Sequence, residues 1–169
     1  FMGDPAHRGR IIFIFTSNRL DLIDVAMKRR GRIDQIIPFL YLEDKMRPMV
    51  FQAILKKQGI PYDVSDWQPI IDATDRFSGA DIESIVLSAD ELAAEEKAPA
   101  VTQQHLLAAL DDFIQARNEE MIRYMELLAL TECSARSMLP ESLRETFDRN
   151  AALEELDQIR AKLKLEGVI

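Results

Sequence analysis

One apolar run near the start of the chain constrains the fold more than any other segment. Residues 11–15 read Ile-Ile-Phe-Ile-Phe, and the polar residues Thr16, Ser17 and Asn18 follow at once. A continuous apolar run of this length is typical of a central parallel strand that is covered on both faces. Open α/β sheets place their ligands outside the carboxyl ends of the strands. The sequence therefore predicts a buried strand that delivers an amide, Asn18, to a binding site.

An arginine-rich turn follows shortly afterwards. Residues 28–34 read Lys-Arg-Arg-Gly-Arg-Ile-Asp, and cations displayed close to the end of a buried strand suit a site that handles phosphate. We expect Asp24 to cap a short helix, Val25 to Arg30, that Gly31 ends. A second strand is predicted at Ile36 to Leu42.

From Glu43 onward the apolar residues recur at helical spacing. Ser78 starts the best-marked helix, because Asp81 completes a capping-box pair with it. The first predicted helix ends near Gln58-Gly59, and the second follows Asp66. The third starts at Ser78, and the fourth starts after Thr102. Two further helices are predicted at Glu119 to Thr131 and at Asn150 to Leu165. The last of them is marginal in isolation, so we expect it to pack on the four helices predicted between residues 43 and 118 or on a neighbouring subunit.

Composition excludes several classes of protein. The chain carries a net charge of −8, but seven Lys and Arg against four Asp and Glu make residues 1–36 basic. A net acidic protein with one local basic end favours a small anion over nucleic acid, whose binding depends on neutralising many phosphates. No stretch approaches the roughly 20 apolar residues of a membrane span. The single cysteine excludes an internal disulfide, no H-E-x-x-H is present, and we predict no metal site within these residues.

Two segments together resemble the AAA family of ring ATPases. Residues 16–34 are similar to the second region of homology of that family, which reads roughly T-N-R-P-D-x-L-D-x-A-L-x-R-P-G-R-F-D. Residues 74–82, Thr-Asp-Arg-Phe-Ser-Gly-Ala-Asp-Ile, are similar to the T-x-G-F-S-G-A-D-[LI] segment of the family's lid. The two motifs occur in the family order. Arg30 stands in place of the usual proline, and Arg76 in place of the usual glycine.

The resemblance implies a mainly α chain with a small α/β part. The terminal strands of a P-loop-type parallel sheet would be followed by a four-helix AAA lid and a helical C-terminal extension. The corresponding domains are residues 1–42, the remnant of the nucleotide-binding core, residues 43–118, the lid, and residues 119–169, the extension.

The resemblance also implies roles for individual residues. Asn18 matches sensor 1, an amide that reaches the terminal phosphate of ATP or its attacking water. Arg29 and Arg32 match arginine fingers, which reach the nucleotide of the adjacent protomer. Gly79 and Ala80 match the start of the lid helix that lies against the base and sugar. Each role has a simpler alternative. Asn18 could bond to the backbone of its own turn, and Arg29 and Arg32 could be cations that stabilise a helix C-terminus. Gly79 and Ala80 could belong to an ordinary helix start.

The implied function is hydrolysis of ATP with Mg²⁺, coupled to the remodelling of a protein substrate. The family implies a homo-oligomeric ring, most often a hexamer, in the cytoplasm. The sequence contains neither a G-x-x-x-x-G-K-[ST] loop nor an apolar run that ends in Asp-Glu. We therefore interpret the chain as the C-terminal portion of a larger ATPase, inactive by itself.

Two rival interpretations remain open. Residues 43–169 could form a non-catalytic helical module that binds a protein partner. The weaker rival is nucleic-acid contact through Arg8, Arg10 and the arginine-rich turn, and the acidic remainder of the chain argues against it.

Overall fold

The structure, a computed structural model, describes residues 9–29, 31–115 and 118–167. The chain forms two compact units, and the residues of each unit pack mainly on one another. One, here the terminal unit, comprises Phe1–Leu40 and Arg117–Ile169; the other, the middle unit, comprises Tyr41–Ala116. The C-terminal helices thus belong with the N-terminal residues, and the division into three domains at 42 and 118 stays a prediction.

The middle unit is a small bundle of helices with one short parallel ladder. Its elements are α1 (Arg47–Gln58), β1 (Tyr62–Asp63), α2 (Gln68–Asp72), α3 (Gly79–Glu95), β2 (Val101–Thr102) and α4 (Gln103–Asp112). β1 pairs in parallel with β2, with Tyr62 opposite Val101 and Asp63 opposite Thr102. The core lies between the helices, and its fully buried side chains include Phe51, Leu55, Ile82, Ile85, Val86 and Leu106.

Local capping explains where these helices begin. Ser78 accepts a hydrogen bond from the backbone N–H of Asp81, and the Asp81 carboxylate accepts one from the N–H of Ser78. Thr102 and His105 form the same reciprocal pair at the start of α4. Each pair satisfies N–H groups that have no partner inside a helix. The predicted helix starts at Ser78 and Thr102 are confirmed.

The terminal unit contains two long helices, α5 (Glu119–Thr131) and α6 (Arg149–Leu165). Short 3-10 helices lie at Leu20–Leu22, Arg136–Met138 and Glu141–Leu143. The buried cluster between the long helices contains Tyr124, Leu127, Leu128, Ala152, Leu156 and Leu163. The apolar side of the last helix therefore packs on α5 within its own chain. The sequence prediction assigns this apolar side to the helices of residues 43–118 or to a neighbouring subunit, and it does not name α5 as the partner.

The two strands predicted from sequence are not formed. Within the described part of the chain, residues 11–15 and 36–42 have no strand assignment, and Ile12 and Ile14 are 88% and 85% exposed. A strand needs a neighbour to pair its N–H and C=O groups, and no described residues lie beside residues 11–15 as a strand. The mainly α chain with a small α/β part is confirmed, but its parallel pair is β1 with β2.

The short helix predicted at Val25 to Arg30 is a series of turns over its described residues. Asp24 does act as the expected cap, because its Oδ1 accepts the N–H of Ala26 at 2.7 Å. A helix this short is unfavourable, since nucleation fixes several residues for a single hydrogen bond. Arg30 itself lies outside the described residues.

Across the described residues, no helix is both long enough and apolar enough to cross a bilayer.

Candidate functional site

Asn18 lies on the surface of the terminal unit, directly after the exposed apolar residues 11–15. Its side chain makes no hydrogen bond to another described residue, and Ser17 takes the local role instead, with Oγ accepting the N–H of Arg19 at 3.0 Å. Leu20 packs against the cluster between α5 and α6. The backbone after Asn18 is therefore held in place while its amide stays available.

The residues that follow Asn18 are fixed by a bidentate ion pair. The Nε and Nη2 atoms of Arg19 donate to Oδ1 and Oδ2 of Asp21 at 2.9 and 2.7 Å. The hydrogen bond from Arg19 lowers the pKa of Asp21 below its ordinary value, although partial burial opposes the shift. The pair keeps the segment after Asn18 in one geometry at neutral pH.

The arginine-rich turn is ordered by its own hydrogen bonds. Gly31 adopts a left-handed φ of 88°, which a residue with a Cβ rarely does. Its N–H donates to Oδ1 of Asp34 at 2.9 Å, and the N–H of Arg32 donates to the carbonyl of Arg29 at 3.1 Å. Asp34 therefore orders this turn.

The described cations of this turn differ in what they contact. Nζ of Lys28 lies 2.9 Å from Oε1 of Glu132, and Nη1 of Arg32 donates to the carbonyl of Ala26 at 3.0 Å. Arg29 is exposed, and its guanidinium makes no ion pair or hydrogen bond with another described residue. Arg29 is therefore the described cation of the turn that is available to a ligand.

Gly79 and Ala80 lie exposed in the first turn of α3, in the middle unit. A Cβ added at Gly79 would meet no atom within 4 Å, and the residue has no left-handed φ. Neither packing nor backbone conformation therefore requires glycine there. Two hydrogen bonds to the Asp81 carboxylate hold this helix start in place. One comes from the N–H of Ser78 at 2.8 Å, and the other comes from Nε2 of Gln115 at 3.2 Å.

The predicted site residues divide between the two units. Asn18, Arg29 and Arg32 belong to the terminal unit, whereas Gly79 and Ala80 belong to the middle unit. Within the described ranges, no three His, Cys, Asp or Glu side chains come together as a metal-binding group.

Sequence reasoning missed the buried cation Arg47, which is 3% exposed. Its guanidinium donates to the carbonyls of Leu42 and Ile71, each at 3.1 Å, and to Oδ1 of Asp44 at 2.8 Å. Its Nε has no partner among the described residues. This residue joins the start of α1 to the end of α2. The only local signal was Asp44 three positions earlier.

Arg76, the residue in place of the family's glycine, has a left-handed φ of 55°. The turn before α3 therefore keeps the backbone conformation that glycine favours, at a cost of about 1–2 kcal/mol for a residue with a Cβ.

Comparison with known proteins identifies the family. No family model matches the chain. It is 34% identical over 119 residues to 26S proteasome regulatory subunit 4 homolog B of Arabidopsis thaliana, a match that covers 70% of this chain and 25% of that protein. It is 32% identical over 116 residues to the proteasome-activating nucleotidase of Saccharolobus solfataricus, a match that covers 69% of this chain and 29% of that protein. It is 25% identical over 115 residues to 26S proteasome regulatory subunit 6A of Saccharomyces cerevisiae, a match that covers 68% of this chain and 26% of that protein.

The chain belongs to the AAA family of ATPases. Its relatives named above are proteasome regulatory ATPases, and the chain spans about a quarter of their length.

Proposed function

We propose that the chain is the C-terminal part of an AAA ATPase that couples ATP hydrolysis to the remodelling of a protein substrate. The whole protein would act in the cytoplasm as a ring of six identical subunits. This chain would supply sensor 1, the arginine fingers and the helical lid, the last formed by residues 43–118.

The observation that carries the proposal is the state of Arg29. Its neighbours Lys28 and Arg32 are bonded within the chain, whereas Arg29 stands exposed on an ordered turn with no partner among the described residues. An exposed guanidinium on a subunit edge can stabilise the negative charge that develops on phosphate during transfer. Such an arginine increases kcat by roughly 10³–10⁵. Arg29 is therefore our choice of dominant finger, with Arg32 ordering the turn beside it.

Asn18 would hold the attacking water or the terminal phosphate of ATP bound to its own subunit. Two features support this role. Its amide is exposed, and the residues directly after it are anchored by the Arg19–Asp21 pair and by Leu20. A neutral donor held in advance of the reaction stabilises developing charge without reorganisation.

Gly79 and Ala80 would lie against the base and sugar of the nucleotide. The open space above Gly79 supports this, because no contact with the described residues accounts for so small a residue. The rigid helix start formed by Ser78 and Asp81 would hold that surface in place.

ATP and Mg²⁺ would be held mainly by residues outside this sequence. The 169 residues contain no G-x-x-x-x-G-K-[ST] loop to cradle the phosphates, so we expect no hydrolysis by this chain alone. Magnesium, when bound, neutralises charge on the phosphates.

Alanine substitution in the full-length protein tests the proposal. Arg29→Ala should abolish turnover and leave ATP binding intact. Arg10→Ala, which removes an exposed cation of the same unit, should change neither. If the full-length protein binds no ATP, or if Arg29→Ala turns over as the wild type does, the proposal is wrong and the helical interaction module gains support.

A further inference from the structure

We propose that the C-terminal extension positions the arginine finger, with Glu132 and Ser134 as the positioning residues for Arg29. This inference rests on the proposed role of Arg29. It gives residues 119–169 a function in the hydrolysis reaction that the two AAA motifs do not include.

The first contact is the ion pair beside the finger. Lys28 directly precedes Arg29, and its Nζ lies 2.9 Å from Oε1 of Glu132, a residue 104 positions later that ends α5. The Lys28 side chain is only 16% exposed, so it lies against the protein rather than in solvent. The pair therefore holds the backbone from which Arg29 projects.

The second contact lies on the other side of the turn. The N–H of Ile36 donates to Oγ of Ser134 at 2.8 Å, and the N–H of Ser134 donates to the carbonyl of Ile36 at 3.2 Å. Lys28 and Ile36 thus bracket the turn, and both are attached within three residues at the end of α5.

The described residues of the turn between these anchors are bonded to one another. The Oδ1 of Asp34 accepts the N–H of Gly31, and the carbonyl of Arg29 accepts the N–H of Arg32, so the two anchors also hold these residues in position. A cavity of about 240 Å³ adjoins the anchors and is lined by Lys28, Ile33, Asp34, Ile36, Glu132 and Ser134.

The extension is itself a rigid support. Arg123 on α5 binds Glu155 on α6 through two hydrogen bonds of 2.7 and 2.8 Å, and the two helices share a buried apolar cluster. Leu20, two residues after Asn18, packs on that same cluster. One helix pair therefore supports both the sensor segment and the finger turn of the subunit.

A matched pair of charge-neutral substitutions in the full-length protein tests the role of Glu132. Glu132 and Glu120 lie at opposite ends of α5, each forms an ion pair with a lysine, and they are 34% and 38% exposed. Only the lysine partner of Glu132 lies in the arginine turn. Glu132→Gln should lower kcat about two- to thirtyfold, the range of couplings carried through packed residues, with KM for ATP unchanged. Glu120→Gln should keep the kcat of the wild type.

Two further variants separate positioning from a loss of folding. Ser134→Ala removes the acceptor for the Ile36 N–H without removing a charge, and it should lower kcat in the same way. Exchanging the charges in Lys28→Glu/Glu132→Lys should recover most of the kcat that Glu132→Gln loses, because it restores the ion pair with the charges reversed, and no recovery would contradict the inference.

The outcomes distinguish this inference from the proposed function. If Arg29→Ala is inactive while Glu132→Gln and Ser134→Ala turn over as fast as Glu120→Gln, the extension does not position the finger and the inference is overturned. If Arg29→Ala itself turns over normally, the proposed role of Arg29 fails first.

Discussion

Arg123 of α5 and Glu155 of α6 form a bidentate ion pair, with Nε donating to Oε1 at 2.7 Å and Nη2 to Oε2 at 2.8 Å. The hydrogen bonds from Arg123 lower the pKa of Glu155 below its ordinary value. The unfolded chain therefore binds a proton at this group at a higher pH than the folded chain does. The stability that the pair contributes is complete above the ordinary pKa of glutamate, about 4.3, and is lost as the pH falls through the lower folded-state value.

The first prediction concerns this acid dependence. Glu155→Gln should lower the free energy of unfolding at pH 7 by less than about 1 kcal/mol, since the carboxylate is partly exposed to solvent. Below the ordinary glutamate pKa the difference from the wild type should shrink, because the unfolded wild-type chain then binds a proton that the folded chain does not. The difference should vanish once the folded carboxylate is protonated as well. Urea unfolding at pH 7 and at pH 3 measures the difference in unfolding free energy between the variant and the wild type, with Glu154→Gln as the control. Equal losses at both pH values would contradict the assignment.

The second prediction concerns the residues that end helices. Gly59 follows α1 with a φ of 71°, and Lys97 follows α3 with a φ of 56°. Gly59→Ala should destabilise the chain by about 1 kcal/mol, because a Cβ is unfavourable in the left-handed region. Lys97→Gly should stabilise it by roughly 0.5–1 kcal/mol, less the entropy that glycine adds to the unfolded chain. Opposite signs in thermal unfolding are the expected result, and equal signs would show that these ends are not left-handed.

The third prediction concerns the start of α3. Ser78 caps the helix through the N–H of Asp81, and its own N–H and hydroxyl bond to the Asp81 carboxylate. Ser78→Ala should cost about 1 kcal/mol of stability. Ser84→Ala, an exposed serine in the same helix, should be neutral or slightly stabilising. Comparable losses from both would mean that the capping box contributes nothing particular.

Helix limits were largely predictable because capping and apolar spacing act over a few residues. Thr102 and Ser78 carry their signal within three positions, and the predicted helix Glu119 to Thr131 agrees with α5 at both ends. Strands depend on partners that sequence spacing does not identify. The apolar residues 11–15 predict a strand by composition, yet the ladder that forms joins Tyr62 with Val101 across the whole of α3.

The contacts that support the candidate site were beyond sequence reasoning for the same reason. Ile36 and Ser134 are 98 residues apart, and nothing local to either residue indicates the other. The buried Arg47 shows a similar limit, since an arginine at a helix start is normally assigned to the surface. Motif spacing alone predicted Asn18 and Arg29, and the structure places both of them on the surface.

A fourth prediction concerns the open space at Gly79. Gly79→Leu should leave the unfolding free energy nearly unchanged, because a Cβ there meets no atom of the described residues within 4 Å. In the full-length protein it should weaken ATP binding by tenfold or more, about 1.4 kcal/mol, since the added side chain would occupy the place of the base or sugar. Ala94→Leu, at an exposed position near the other end of α3, should leave binding unchanged. Unaltered affinity in Gly79→Leu would remove this residue from the nucleotide site.

The central claim is that Asn18 acts on nucleotide in its own subunit while Arg29 acts across the seam between subunits. Mixing two inactive variants of the full-length protein, Asn18→Ala and Arg29→Ala, tests it directly. A site in an Arg29→Ala subunit keeps its own Asn18 and receives Arg29 from an Asn18→Ala neighbour. Equal mixing should therefore restore activity at about a quarter of the sites of a head-to-tail ring. No ATP hydrolysis above that of the separate variants, in rings shown to contain both, would contradict the account.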